Sequence, residues 1–245
     1  MRFQDRVAIV TGASGGIGFA IAQRLGSEGA RLIMADHSPD KAQARIGELT
    51  AAGAPDVWVS ACDVSVEADV EATCQGAMDR WGRLDVVVNN AGLMTFTAIE
   101  DLTGEEWSRV LGVDLMGAFY FTKHAFRRMK PGGAIVNVAS VHAVMTSPMA
   151  APYAAAKAAV LSLTRTASIE GKPKGIRSNA ILPGAIDTPM LWDNPNVKSG
   201  AEKIDPSDVG KPDQIAGAVA FLASDDASFV TGASLAVDGG RLAKL

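Results

Sequence analysis

Short apolar runs alternate with longer amphipathic stretches along most of the chain. Val7–Val10, Arg31–Ala35, Val57–Ala61, Leu84–Val88, Ala134–Ala139, Ile176–Leu182 and Ser234–Val237 read as strands, rich in Val, Ile, Leu and Ala. Between the first six lie segments of helical composition: Ile17–Ser27, Asp40–Ala51, Val66–Trp81, Thr103–Met129 and Tyr153–Ser168. A further helix fits Pro212–Ala223, with Pro in the first turn, where its missing N–H costs little. Strands that are apolar on both faces and separated by helices predict a parallel sheet covered on both sides. The expected fold class is therefore α/β: a single-domain Rossmann-type fold with a seven-stranded parallel sheet. Seven strands spread over residues 1–245 leave no room for a second domain.

The pattern fails once, from Ala185 to Lys211, where Pro189, Pro195 and Pro206 sit among Asp, Asn and Gly. Long irregular segments in compact domains are functional covers or disordered insertions. This one reads as a substrate-covering loop with short helices, a disordered insertion being the other reading.

Composition narrows the classes. A net charge of −4 and no block of like charges argue against nucleic-acid binding. No apolar run approaches a membrane span, and Val7–Val10 is too short for a signal peptide, so a cytoplasmic protein is expected. Cys62 and Cys74 have no His at ligand spacing; they read as two reduced, partly buried thiols, and no metal site is expected. Gly is in excess, at 25 residues, which suggests backbone in close approach to a ligand.

That excess begins at Thr11-Gly12-Ala13-Ser14-Gly15-Gly16-Ile17-Gly18, directly after the first strand and opening the first helix. Glycines there let backbone approach a dinucleotide pyrophosphate, and the helix N-terminus supplies N–H groups and a positive dipole end. The spacing is Gly-x-x-x-Gly-x-Gly rather than the more usual Gly-x-Gly-x-x-Gly. Asp36 ends the second strand, eighteen residues past Gly18, where an acidic residue binds the ribose hydroxyls of NAD and repels the 2′-phosphate of NADP. No Arg stands beside it, so NAD is the expected cofactor. Asp63-Val64 after the third strand and Asn89-Asn90-Ala91-Gly92 after the fourth put further polar residues at carboxyl strand ends, where open α/β sheets bind ligands.

Taken together, Thr11–Gly18, Asp63, Asn89–Gly92, Ser140, Tyr153-Ala154-Ala155-Ala156-Lys157, Pro183-Gly184 and Asp238-Gly239-Gly240 resemble the short-chain dehydrogenase/reductase family over the whole chain. The resemblance implies hydride transfer with NAD(P) and a homo-oligomer, commonly a tetramer, otherwise a dimer. Its physical basis is legible in part. Tyr153 and Lys157 are four residues apart and share one helix face. A free Tyr, with a pKa of about 10, is a poor base at neutral pH, and a nearby ammonium favours its anion. Tyr153 is thus assigned as general base or acid, Lys157 as the group that lowers its pKa, and Ser140 as the residue that orients the reacting oxygen. The resemblance adds that Lys157 holds the nicotinamide ribose and that Ile186 and Thr188 bind the carboxamide.

One position departs from the family pattern: Asp114 stands where an Asn is usual. That Asn joins the proton relay through its backbone carbonyl and a water, and the relay is expected to survive the change. His142, two residues past Ser140, is either a substrate contact or a loop histidine without a role. Met145, Met149, Met190, Leu191 and Trp192 are candidates for an apolar substrate wall or for helix packing, while Trp58, Trp81 and Trp107 read as core or interface. The expected activity is an NAD-dependent oxidoreductase acting on a secondary alcohol, polyol or sugar and the matching ketone. The alternatives are a ketoreductase of the 3-oxoacyl-carrier-protein type and a catalytically silent nucleotide-binding regulator.

Overall fold

A computed structural model describes residues 1–200 and 203–243. Seven strands form one sheet: β1 (Val7–Thr11), β2 (Arg31–Asp36), β3 (Val57–Ala61), β4 (Val86–Asn89), β5 (Ala134–Val138), β6 (Arg177–Pro183) and β7 (Ser234–Val237). Their order is β3-β2-β1-β4-β5-β6-β7 and every pairing is parallel. The expected seven-stranded Rossmann-type sheet is therefore observed. The chain leaves β1 toward one edge and β4 toward the other, so a crevice opens at the carboxyl ends of β1 and β4.

Helices cover both faces. On one, α1 (Gly16–Ser27) packs against α10 (Pro212–Ala223), burying Phe19, Ile21, Leu25, Ile215 and Val219 over Val10, Met34 and Val136. On the other, α4 (Glu67–Trp81) and α6 (Gly117–Arg128) bury Val70, Cys74, Phe121 and Ala125 over Ile9, Val87 and Ile135. The strands are apolar on both faces because both are covered. β7, at the edge, is largely exposed. Among the described residues no helix is long and apolar enough to cross a membrane.

Three helical expectations change in detail. Asp40–Ala51 is not one helix but two, α2 (Pro39–Gln43) and α3 (Ile46–Ala51), broken where Arg45 lays its guanidinium 3.6 Å from the Phe19 ring centre. Thr103–Met129 is interrupted: α5 (Gly104–Leu111) passes through a π-helical turn, Gly112–Met116, into α6. Glycines bracket that turn, and a Cβ on Gly117 would come within 2.8 Å of the Val64 side chain, so the helix must run close under the end of β3. α7 is longer than Tyr153–Ser168, running from Ala151 to Gly171 with Pro152 in its first turn. The irregular stretch after β6 holds two one-turn helices, α8 (Pro189–Trp192) and α9 (Pro195–Lys198), each opened by a proline. Its ends are clamped: Asp187 N–H donates to the Gly210 carbonyl (2.8 Å) and Gly210 N–H to that of Ala185 (2.9 Å).

Trp58 and Trp81 are partly buried, the Trp58 ring filling the slot left by the missing side chain of Gly76. Trp107 is 37% exposed and is not a core residue. Both cysteines are free and buried, and burial pushes their thiols up to about 11 for Cys62 and about 12 for Cys74.

Candidate active site

The glycine turn is held by its neighbour strand. The Thr11 hydroxyl accepts from the N–H groups of Asn90 (2.9 Å) and Ala91 (2.8 Å), and the Asn90 amide donates to the carbonyls of Thr11 (2.9 Å) and Gly12 (3.3 Å). The turn closes so tightly that a Cβ on Gly18 would lie 2.1 Å from the Gly12 carbonyl oxygen. Gly12 and Gly16 adopt φ of +63° and +52°, which side chains resist. Among the described residues no side chain caps α1, and its N-terminus opens on the crevice. The signal for Asn90 was its place after β4; the Thr11 clip carries no local pattern and was missed.

The crevice has a volume of about 650 Å³ and runs past Gly12, Ser14, Gly15, Gly16, Ile17, Gly18, Asp36, Asp63, Val64, Asn90, Ala91 and Gly92. Asp36 is buried; its carboxylate accepts the N–H groups of Ser14 and Ser38, both at 2.9 Å, and among the described residues its one basic partner is His37, with Nδ1 3.5 Å from Oδ1. Cys62, Leu93, Ser108, Arg109 and Val113 also border the crevice, though nothing in their sequence context marked them.

Beyond Gly92 the crevice joins a second cavity of about 150 Å³; Ile17, Asn90, Gly92, Thr188 and Met190 border both. It collects Ser140, His142, Tyr153, Lys157, Pro183, Gly184 and Ile186 from the carboxyl ends of β5 and β6 and from α7. Ser140 is two residues past the end of β5 and caps a short 3₁₀ turn, Val141–Ala143, accepting from His142 N–H at 3.1 Å. The strand does not continue to His142, as its alignment with Ser140 would need. The 3₁₀ turn instead brings its ring 5.7 Å from that of Tyr153, edge to face, while its Nδ1 lies 2.9 Å from the Thr146 hydroxyl.

Met94, Val138, Val141, Met190 and Leu191 make the cavity walls apolar, with Asn194 and Arg241 at the border. Trp192 does not reach it; its indole N–H donates to Asp187 at 2.7 Å. Met145 and Met149 do not line it either, and Met145 is 54% exposed. Thr188 turns its hydroxyl to the Ile186 carbonyl (3.2 Å) and its methyl toward Gly16.

Tyr153, Lys157 and Asp114 are all buried. The Lys157 ammonium donates to the Val138 carbonyl (3.2 Å) and lies 3.1 Å from Asp114 Oδ2 and 5.4 Å from the centre of the Tyr153 ring. The other oxygen of Asp114 accepts from Leu93 N–H at 2.9 Å. Oδ2 has no aligned hydrogen bond, so its bond to Lys157 is an ion pair. The π turn places Asp114 there, and Gly92 leaves the space: a Cβ on it would meet Asp114 Oδ2 at 2.9 Å and Lys157 Nζ at 3.2 Å.

These charges change the expectation for Tyr153. Burial pushes its phenol up; Lys157 pulls it down, but Asp114 pushes it up again, and the balance is upward despite help from Ser140. Lys157 acts in the expected direction and is outweighed. Burial also works against the Lys157 charge, yet Asp114 and Tyr153 together hold its pKa above the usual value. Burial raises the Asp114 carboxyl, opposed by Lys157 and the Leu93 N–H.

A glycine turn between strand and helix, with an acidic residue at the end of β2, defines a dinucleotide-binding α/β fold. A family profile described as enoyl-(acyl carrier protein) reductase matches residues 12–241. A 3beta-hydroxysteroid dehydrogenase of Eggerthella lenta is 40% identical over 97% of this chain and 94% of its own length. A cis-4-hydroxycyclohexanecarboxylate dehydrogenase of Sinomonas cyclohexanicum is 42% identical over 98% of each chain. A crystal structure of levodione reductase superposes with a TM-score of 0.93 at 38% identity, covering both chains in full. The chain belongs to the short-chain dehydrogenase/reductase family, whose members are oxidoreductases with a nicotinamide cofactor.

Proposed function

We propose that this chain is an NAD-dependent dehydrogenase that interconverts a secondary alcohol, polyol or sugar and its carbonyl form. The observation that carries the reading is the convergence of Ser140, Tyr153 and Lys157 on one small, mostly apolar cavity that opens into the glycine-lined crevice. The named relatives act on a hydroxysteroid and a hydroxycyclohexanecarboxylate, which favours a secondary alcohol on a cyclic apolar body.

The residues present fit the cofactor. The cradle at Gly12, Gly15, Gly16 and Gly18 suits a pyrophosphate: a Cβ on Gly15 would stand in open space, while at Gly12 and Gly18 it would collide with the turn and its Asn90–Ala91 neighbour and deform the cradle, and Ser14 and Ile17 complete it. Asp36 would take the adenosine ribose hydroxyls and reject a 2′-phosphate, because its carboxylate is buried without an Arg beside it. Asp63, Val64, Asn90, Ala91 and Gly92 wall the crevice, and Pro183, Gly184, Ile186 and Thr188 close its nicotinamide end. When bound, the nicotinamide accepts or returns the hydride.

The chain's own residues handle the proton and the oxygen. Tyr153 takes the hydroxyl proton in oxidation and returns it in reduction. Ser140 holds the reacting oxygen beside it, and Lys157 stabilises the tyrosinate and holds the nicotinamide ribose. The backbone of Asp114 continues the proton path. His142 and Met190 border the substrate space, and the first part of the irregular segment, from Ala185 to Asn194, walls it. The assembly is a homo-oligomer acting in the cytoplasm, for which Phe221 on α10 and Leu235 on β7 are exposed apolar residues that a neighbouring subunit could cover.

A panel of secondary alcohols, polyols, sugars and ketones, followed by nicotinamide absorbance with NAD and NADP, tests the reading. Tyr153→Phe should lose about 10²–10⁴ of the turnover while still binding NAD. Turnover near that of the unaltered chain would sink the assignment of Tyr153.

A further inference from the structure

The buried carboxylate of Asp114 has no task in hydride transfer itself, and its ion pair with Lys157 changes what the lysine can do. Lys157 is 4% exposed and the Asp114 side chain 0%. Space among Asn89, Asp114 and Lys157 amounts to about 10 Å³, too little for bulk water to screen the pair. A cation lowers a tyrosine's pKa only by its net field, and a carboxylate 3.1 Å from the ammonium cancels much of that field.

We propose that Asp114 is a positioning residue that serves as the counter-ion of Lys157, and that by neutralising the ammonium beside the Tyr153 ring it sets the pH at which Tyr153 gives up its proton. The inference rests on the proposed acid/base role of Tyr153. The groups facing Tyr153 are few. Lys157 comes from its own helix, Asp114 from the π turn, Ser140 and the His142 ring from the segment after β5; Arg241 borders the same cavity. The Asp114 carboxylate is fixed by Leu93 N–H on its other oxygen, so it cannot swing away from the ammonium without giving up that bond. The raised phenol of Tyr153 accords with this. The consequence is an enzyme whose tyrosine keeps its proton to higher pH than Lys157 alone would dictate, which favours the donor form used in carbonyl reduction.

The chain has two tyrosines, Tyr120 and Tyr153, so ionisation can be followed without substrate. The ultraviolet tyrosinate absorbance of the full chain is titrated, and the Tyr153→Phe titration is subtracted to isolate Tyr153. In Asp114→Asn, Tyr153 is expected to ionise about one pH unit lower, and the pH limb of alcohol oxidation to move down with it. The same downward shift is expected when His142→Asn is present in both chains compared. A midpoint that stays in place or rises, in either background, overturns the proposal. Should the amide variant fail to fold, Asp114→Ser is titrated instead, with the same outcomes. An active Tyr153→Phe would refute the acid/base reading. An inactive one, with an unmoved Tyr153 midpoint in Asp114→Asn, would refute the counter-ion alone.

Discussion

Lys157→Met isolates the energetic side of the buried pair. The substitution keeps an unbranched apolar stem and removes the ammonium, leaving the Asp114 carboxylate inside the protein, 0% exposed, with Leu93 N–H as its one donor among the described residues. Removing one partner of a buried pair costs about 3–5 kcal/mol. For a chain of this size each kcal/mol lowers the melting temperature by about 2–4 °C, so the expected loss is roughly 6–20 °C. The loss must depend on pH. Burial already raises the Asp114 carboxyl against the pull of Lys157, and without that pull its folded pKa rises further above the unfolded value of about 3.9. An acid raised in the folded state binds its proton more tightly there, so stability is whole at low pH and falls as pH climbs from the unfolded pKa through the folded one. The deficit relative to the unaltered chain should therefore be larger at pH 8 than at pH 5. Calorimetry of the unaltered chain, Lys157→Met and Asp114→Asn/Lys157→Met measures this, with the double variant regaining most of the loss. A single variant melting within a degree or two of the unaltered chain at pH 8, or a double variant no better than the single, would refute the reasoning.

Three further outcomes are expected. Gly18→Ala drives a methyl to within 2.1 Å of the Gly12 carbonyl oxygen; overpacking of this kind costs about 1–3 kcal/mol, and titration calorimetry should show NAD affinity weakened along with the melting temperature. Asp36→Ala with His37→Arg exchanges a buried carboxylate for a phosphate-binding cation. The NADP-to-NAD ratio of kcat/KM should rise by roughly tenfold or more, and an unchanged ratio would show that Asp36 does not select the cofactor. Because the Tyr153 phenol lies above its ordinary value, alcohol oxidation should gain rate toward alkaline pH and carbonyl reduction should lose it; profiles running the other way would contradict Tyr153 as the titrating group.

The sheet, and the gathering of the expected cofactor residues along one crevice, were legible because their signals are local. Val7–Val10 leads straight into Gly12–Gly18, Asp36 ends a strand and Asp63 and Asn90 follow one, so position along the chain implies position at the crevice. Tyr153 and Lys157 were legible for a like reason, one helix fixing their spacing. What stayed hidden depends on contacts between distant segments. The π turn forms where Gly117 meets Val64, and no periodicity in Thr103–Met129 announces it. The pairing of Asp114 with Lys157 follows from that turn, which is why the sequence identified an unusual carboxylate but not its partner. Trp192 looked like a wall residue by neighbourhood, yet its orientation was decided by an available acceptor on Asp187. Met94 arrives at the cavity on a loop and Arg241 at the start of a short 3₁₀ turn, Arg241–Ala243, whose courses only the folded chain fixes.

The clamp at Ala185, Asp187 and Gly210 makes the intervening segment a closed excursion: it leaves the sheet and returns to nearly the same point. Because its two ends are pinned by backbone bonds, the chain between them can lengthen, shorten or change composition at an entropic cost that grows only with the logarithm of its length. The groups proposed for proton transfer, Ser140 after β5 and Tyr153 and Lys157 on α7, stand outside the excursion. Under the proposed function, substrate preference is thus a transplantable property: a segment exchanged between those two anchor points, with Thr188 kept, carries a new wall with it and leaves the proposed proton path behind it intact.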